Sequence, residues 1–160
     1  MSLILATGSN IGDRLTNLST AKRILSAKYK FIAQSNVYTS AAIEYSNQPD
    51  FLNQVLEFEI PKLNPRTVMQ SILLIEKELG RIRDIPKGPR IIDIDIIFWG
   101  LCSIDEKILT VPHPAWDKRS FVVKPLSELP FFSTIQSNFN IPTTFDIEAL
   151  PFSAAPDSIL

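Results

Sequence analysis

Residues 91–99 read Ile-Ile-Asp-Ile-Asp-Ile-Ile-Phe-Trp and stop at Gly100. An apolar run broken only by two aspartates fits a β-strand. Side chains alternate between the two faces of a strand. The pattern therefore sorts Ile92, Ile94, Ile96 and Phe98 to one face and Ile91, Asp93, Asp95, Ile97 and Trp99 to the other. The first face suits packing beneath helices. The second carries two carboxylates whose Cα atoms sit about 6.5–7 Å apart. Like charges at that spacing repel and lose hydration. One reading is an exposed edge strand with solvated aspartates. The other is a site where a pair of hard divalent cations compensates both charges.

The stretch just before the strand bears on that choice. Arg81, Arg83, Lys87 and Arg90 lead directly into the aspartates. Cations beside a metal pair are expected where a polyanion binds both, because arginine forks match phosphate oxygens. A solvated basic loop salt-bridged to the aspartates would use the same residues. No Gly-x-x-x-x-Gly-Lys-Ser/Thr motif occurs, which argues against a P-loop kinase. Gly8 and Gly12 are read as a strand-to-helix turn. The formal net charge of −1 argues against a broad electrostatic footprint for nucleic acid or an anionic membrane.

The rest of the chain supplies the frame. Leu3–Thr7 reads as a buried strand, followed by turn chemistry over 8–13 and a helix with Leu15, Leu18, Ala21 and Leu25 on one side. Phe31–Ser40 reads as one strand, 41–50 as a loop, and Phe51–Ile60 as a strand with one better-buried face. Asn64 and Pro65 open a second helix that Gly80 closes. Beyond Gly100 a short hairpin, a Val111-Pro112-His113-Pro114 turn and a short helix near Phe121–Leu126 are expected. The prolines at 130, 142, 151 and 156 suggest an irregular segment over 131–160.

The order strand–helix–strand–strand–helix–strand predicts an α+β sandwich. It is a ferredoxin-like βαββαβ core with helices on one face of a mostly antiparallel sheet. The other sheet face is left for a site. A single domain over 1–160 is expected. Cys102, the one cysteine, is read as a small buried apolar residue. The N-terminus has no basic segment of the secretory type, and no apolar run reaches membrane-spanning length. A soluble, cytoplasmic, monomeric protein is expected.

Five motifs occur in order: Gly8-Ser9-Asn10-Ile11-Gly12-Asp13, Gln48-Pro49-Asp50-Phe51-Leu52-Asn53, Gly80-Arg81-Ile82-Arg83, Gly88 through Ile96, and Val111-Pro112-His113. Together, over roughly residues 3–130, they resemble the 6-hydroxymethyl-7,8-dihydropterin pyrophosphokinase family of folate biosynthesis. The resemblance implies transfer of the diphosphate of ATP to the hydroxymethyl oxygen of the pterin, with release of AMP. Asp93 and Asp95 would hold two Mg²⁺ ions. Arg81, Arg90 and Asp95 would be catalytic, with Arg83 assisting on a mobile loop. Glu76, Arg83, Arg90, Ile96, Thr110, His113 and Arg119 would bind ATP. Ser40, Ala41, Ile43, Phe51, Asn53 and Phe121 would bind the pterin, the two phenylalanines as aromatic faces.

Taken singly, Phe51 and Phe121 are more often core residues and His113 more often structural, while Asn53 fits either role; the ordered set of motifs overturns these readings. The chain departs from the family pattern at Lys87, often a tryptophan, and at Pro114, often aromatic. It also departs at Ala41, often proline, and in the stretch between Arg83 and Gly88, which is one residue short. These departures concern closure over the substrates. Two other readings use the same fold. One is an RNA-binding module, disfavoured by the acidic pair and the near-neutral charge. The other is a different pterin enzyme such as an aldolase, which would leave the arginines without a polyphosphate.

Overall fold

The computed structural model describes residues 1–42, 47–80 and 89–153. Its elements are β1 (Ser2–Ser9), α1 (Arg14–Lys28), β2 (Phe31–Gln34), β3 (Tyr38–Ser40), β4 (Phe51–Glu59), α2 (Pro65–Glu78) and β5 (Asp93–Trp99). A hairpin of β6 (Ile104–Asp105) and β7 (Thr110–Val111) follows. After it come a 3-10 turn (Trp116–Lys118), α3 (Ser120–Leu126), α4 (Phe132–Asn138) and β8 (Leu150–Pro151). The main sheet runs β5-β1-β4-β3-β8, with β2 also on β4. Every pairing is antiparallel. This is the expected α+β arrangement.

Local chemistry explains the helix ends. The Asp13 carboxylate accepts from Thr16 N at 3.1 Å, and Asn64 Oδ1 accepts from Arg66 N at 2.9 Å. Each satisfies a first-turn N–H that has no intrahelical partner. Gly80 follows α2 at φ +92°, a left-handed conformation that glycine adopts without a Cβ penalty. Leu18, Ala21 and Leu25 are buried on α1, whereas Leu15 is 41% exposed at its first turn.

The predicted strand over 31–40 is in fact two strands. Between them Ser35 N donates to Val55 O at 2.9 Å, and Ser35 Oγ accepts from Val55 N at 3.0 Å. The hydroxyl takes the place of a main-chain carbonyl in the ladder, so the backbone can bend without orphaning Val55.

The two faces of the sheet carry different layers. Leu3, Leu5, Leu52, Leu56, Phe58, Ile92, Ile94 and Ile96 pack with buried residues of α1 and α2. On the other face Ile4, Val55, Ile97 and Phe98 pack with Trp116, Val122, Val123, Leu126 and Ile135. The core βαββαβ unit keeps its helices on one face, as expected, and the chain beyond it adds α3 and α4 to part of the other. β4 is therefore buried on both faces rather than mainly on one.

Three sequence expectations change here. The register of β1 against β5 shifts between Ile4 and Leu5: Leu5 faces Ile96, but Ile4 faces Phe98. Ile97 is the extra residue of a β-bulge, and an extra residue inverts the alternation beyond it. Phe98 thus joins the α3–α4 side and Trp99 the α1–α2 side, the reverse of strict alternation. Residues 131–153 are not irregular throughout, because they include α4 and β8. The aromatic residues of this segment find partners that only the folded chain provides: Phe139 lies 5.7 Å from Phe98 and 5.8 Å from Trp116, ring to ring. Cys102 is exposed, because it lies in the turn after Gly100 with its N–H on Trp99 O.

Two polar groups tie the added layer to the sheet. Glu57, only 3% exposed, accepts from Ser2 Oγ at 2.8 Å and from Phe131 N at 3.0 Å. Replacing it with alanine leaves both donors unpaired in the interior. Glu57→Ala is expected to cost about 2–4 kcal/mol, read as a lowered midpoint in urea unfolding. Glu128, just after α3, accepts from Asn36 N and from the Tyr38 hydroxyl. Burial first, and the Glu128 carboxylate second, push the Tyr38 phenol up to about 12 from the usual 10.0. The unfolded chain then releases this proton before the folded one does. The contribution is complete below pH 10 and is lost as pH rises through 12. In an alkaline absorbance titration one of the three tyrosines should ionise last, and Glu128→Gln should bring it down.

Candidate active site

The ladder aligns Asp93, Gly8, Asn53 and Tyr38 in one row across β5, β1, β4 and β3. The next row on the same face is Asp95, Ala6 and Val55. Val55 lies beneath the α3–α4 layer, so only the end of the face bearing Asp93 and Asn53 stays open. A Cβ at Gly8 would stand 3.3 Å from Asn53 Oδ1 and 3.4 Å from Phe51 Cδ1. Glycine therefore lets the Asn53 and Phe51 side chains approach the β1 backbone closely, next to the carboxylate side.

On the carboxylate side, Asp93 and Asp95 are both half-buried. Arg90 Nη1 lies 3.2 Å from Asp93 Oδ2, and its guanidinium carbon stands 5.7 Å from the Phe51 ring centroid. The carbonyl of the bulged Ile97 accepts from His113 N at 2.9 Å, which fixes the His113 turn to the same strand. His113 Nδ1 accepts from Ala115 N at 3.1 Å, which leaves the proton of the neutral ring on Nε2. Burial first, then the Arg119 charge, push this imidazole down to about 4, against an opposing pull from Asp93. It is uncharged at neutral pH. On the other side Asn53 Nδ2 donates to Ser40 Oγ at 2.8 Å, and both residues are buried. Ala41 follows, exposed. The Arg119 guanidinium stands 5.5 Å from the Phe121 ring at the start of α3.

The structure thus gathers Asp93, Arg90, Phe51, Asn53 and Ser40 on one face of the sheet, with Asn53 and Ser40 buried and Asp95 in the adjoining row. His113 and Arg119 lie within electrostatic reach of one another, and His113 of Asp93. Three predicted nucleotide residues lie elsewhere. Ile96 is 3% exposed and belongs to the core under α1 and α2. Glu76 is buried, and its carboxylate accepts from Ile94 N at 2.8 Å, so it covers the outer edge of β5. Thr110 is in the β6–β7 hairpin, with its hydroxyl on Glu106 O at 3.4 Å. Ile43, Arg81, Arg83 and Lys87 lie outside the described residues.

Among the described residues no group of three or more His, Cys, Asp or Glu side chains is gathered as a metal site. Magnesium asks for less. It typically keeps several waters and binds through one or two carboxylates plus substrate phosphates. Two aspartates on one face, beside the side-chain-free Gly8 and the small Ala6, fit that donor set.

The family model for 7,8-dihydro-6-hydroxymethylpterin-pyrophosphokinase matches residues 4–130. The chain belongs to this family. It is 39% identical over 127 residues to the 2-amino-4-hydroxy-6-hydroxymethyldihydropteridine pyrophosphokinase of Bacillus subtilis, covering 78% of this chain and 75% of that one. Identity to the protein of the same name in Aquifex aeolicus is 40% over 128 residues, 80% of this chain and 79% of that one. The folic acid synthesis protein fol1 of Pneumocystis carinii is 39% identical over 129 residues, which is 80% of this chain but 17% of that much longer protein. The chain spans a quarter or less of such long relatives, fungal and plant.

Asn10 has a role that sequence reasoning missed. The residue is 2% exposed. Its Oδ1 accepts from Arg90 N at 2.7 Å, and its main-chain N donates to Arg90 O at 3.0 Å. Its Nδ2 donates to Gln48 Oε1 at 2.8 Å and Pro49 O at 3.1 Å. One amide therefore joins the turn after β1, the lead-in to Phe51 and the lead-in to Asp93. The Gly8–Asp13 motif signalled a turn, but its partners lie some 40 and 80 residues away. Asn10→Ala is expected to cost about 2 kcal/mol in denaturant unfolding and to speed amide exchange at Arg90.

Proposed function

We propose that this chain transfers the β,γ-diphosphate of ATP to the hydroxymethyl oxygen of 6-hydroxymethyl-7,8-dihydropterin and releases AMP. The observation that carries this reading is the Asp93–Gly8–Asn53 row, which sets a carboxylate and an amide either side of a residue with no side chain. A flat heterocycle suits the Asn53 side. Asn53 Oδ1 accepts from ring donors while its Nδ2 is held by Ser40, and Phe51 and Phe121 offer aromatic faces. A polyphosphate suits the other side, where Arg90, Arg119 and the Nε2–H of neutral His113 donate to its oxygens.

The pterin oxygen attacks the β-phosphorus, and the bond from that phosphorus to the oxygen bridging the α-phosphate breaks, so AMP leaves. Asp93 and Asp95 would hold two magnesium ions, which when bound neutralise phosphate charge and ease loss of the hydroxyl proton. Arg90 offsets charge that builds on the transferring group, with Arg81 and Arg83 assigned to the same work. Glu76, Ile96 and Thr110 are assigned to the nucleotide's base end, Ile96 through its backbone. Ala41 and Ile43 close the pterin side. No helix among the described residues is long and apolar enough to cross a membrane. The reading takes the enzyme as a monomer acting in the cytoplasm.

The reading is tested by following nucleotide products. ATP should yield AMP only with both magnesium and the reduced pterin present. Asp95→Ala should lower turnover by about a thousandfold or more, with its melting temperature preserved. Formation of ADP, or turnover that survives this substitution, would count against the mechanism.

A further inference from the structure

Beyond α4 the described residues cross the second face of the sheet and reach β3. At one end Ser120 Oγ accepts from Ala149 N at 2.9 Å and donates to Glu148 Oε2 at 3.2 Å. Ser120 is 1% exposed. Lys124 Nζ lies 2.9 Å from Glu148 Oε2 and donates to Ala149 O at 2.9 Å. Glu148 Oε1 accepts from Phe145 N at 3.2 Å, which closes the turn. The Lys124–Glu148 pair is 36% and 43% exposed and contributes little by charge alone. The bonds to the buried Ser120 matter more, because an unpaired buried donor is costly. At the other end Leu150 and Pro151 face Thr39 and Tyr38, and Phe152 N donates to Val37 O at 2.9 Å.

Both anchor points adjoin the pterin side of the site. Ser120 sits directly between Arg119 and Phe121. β3 ends at Ser40, whose hydroxyl holds the Asn53 amide. We propose that residues 139–153 form a strap that sets the gap between Phe121 and the Ser40–Asn53 pair, with Glu148 and Ser120 as positioning residues. The strap lies beyond the stretch matched by the family model. The Asp93 side depends on other anchors, namely the β1 ladder, Asn10 and the Ile97 carbonyl. The strap should therefore act on one substrate and not on both.

This inference rests on the pterin reading above, and the test separates the two. Glu148→Ala should raise KM for the pterin about tenfold while leaving KM for ATP within about twofold. Glu148→Gln keeps one acceptor oxygen for Phe145 N, and its amide N–H can donate to the Ser120 hydroxyl in place of the bond now accepted, so it should restore part of the pterin affinity. Lys124→Ala, at the exposed pair, is the milder variant if Glu148→Ala does not fold, and should shift the pterin constant alone. An unchanged pterin constant, an equal change for ATP, or Glu148→Gln as defective as Glu148→Ala overturns the strap's role. An unsubstituted chain that binds no pterin overturns both readings. One that turns over normally beside an unaffected Glu148→Ala overturns the strap alone.

Discussion

Two carboxylates on neighbouring same-face positions of one strand are a constraint that the whole arrangement has to accommodate. Asp93 and Asp95 cannot share a dry layer with Val55 and Ile97, because uncompensated buried charge is costly. The added layer of α3 and α4 therefore covers only the far end of that face, over Ile4, Val55, Ile97 and Phe98. The near end stays open, and Arg90 stands against Asp93 there. Which half of the sheet is core and which half is site follows from where the charges fall.

The bulge at Ile97 joins the two halves. It turns Phe98 into the α3–α4 layer and Trp99 into the α1–α2 layer. Its carbonyl also receives His113 N. One extra residue thus anchors the His113 turn and re-aims two large aromatics. The ordinary pleat, undisturbed from Asp93 to Ile96, keeps the aspartates opposite Gly8 and Ala6. Regular pairing serves the chemistry at one end, and irregular pairing serves packing at the other.

Much of this was legible in advance. Helix ends at Asn64-Pro65 and Gly80, the face of Asp93 and Asp95, and the α+β order all follow from short-range rules. The pterin and nucleotide residues came from ordered motifs, and the structure gathers Arg90, Asp93, Phe51, Asn53 and Ser40 on one face. Strand alternation already set Ile96 on the packing face opposite Asp95, and it is buried there. Less legible was Glu76. The Glu76 carboxylate is committed to Ile94 N on the open edge of β5, a partner that no helical pattern announces.

By itself the sequence determined local geometry: which residues share a strand face, where helices start and stop, and that two like charges need compensation. Those outcomes depend on neighbours a few residues apart. Only the tertiary structure decided the break at Ser35, the bulge at Ile97, the reach of Asn10 and the return of 139–153 to β3. Each depends on a hydrogen-bond or packing partner far along the chain, and local propensity carries no information about that partner. Asp93 and Asp95 were visible at once, but their alignment with Asn53 appeared only when β1 set Gly8 between β5 and β4.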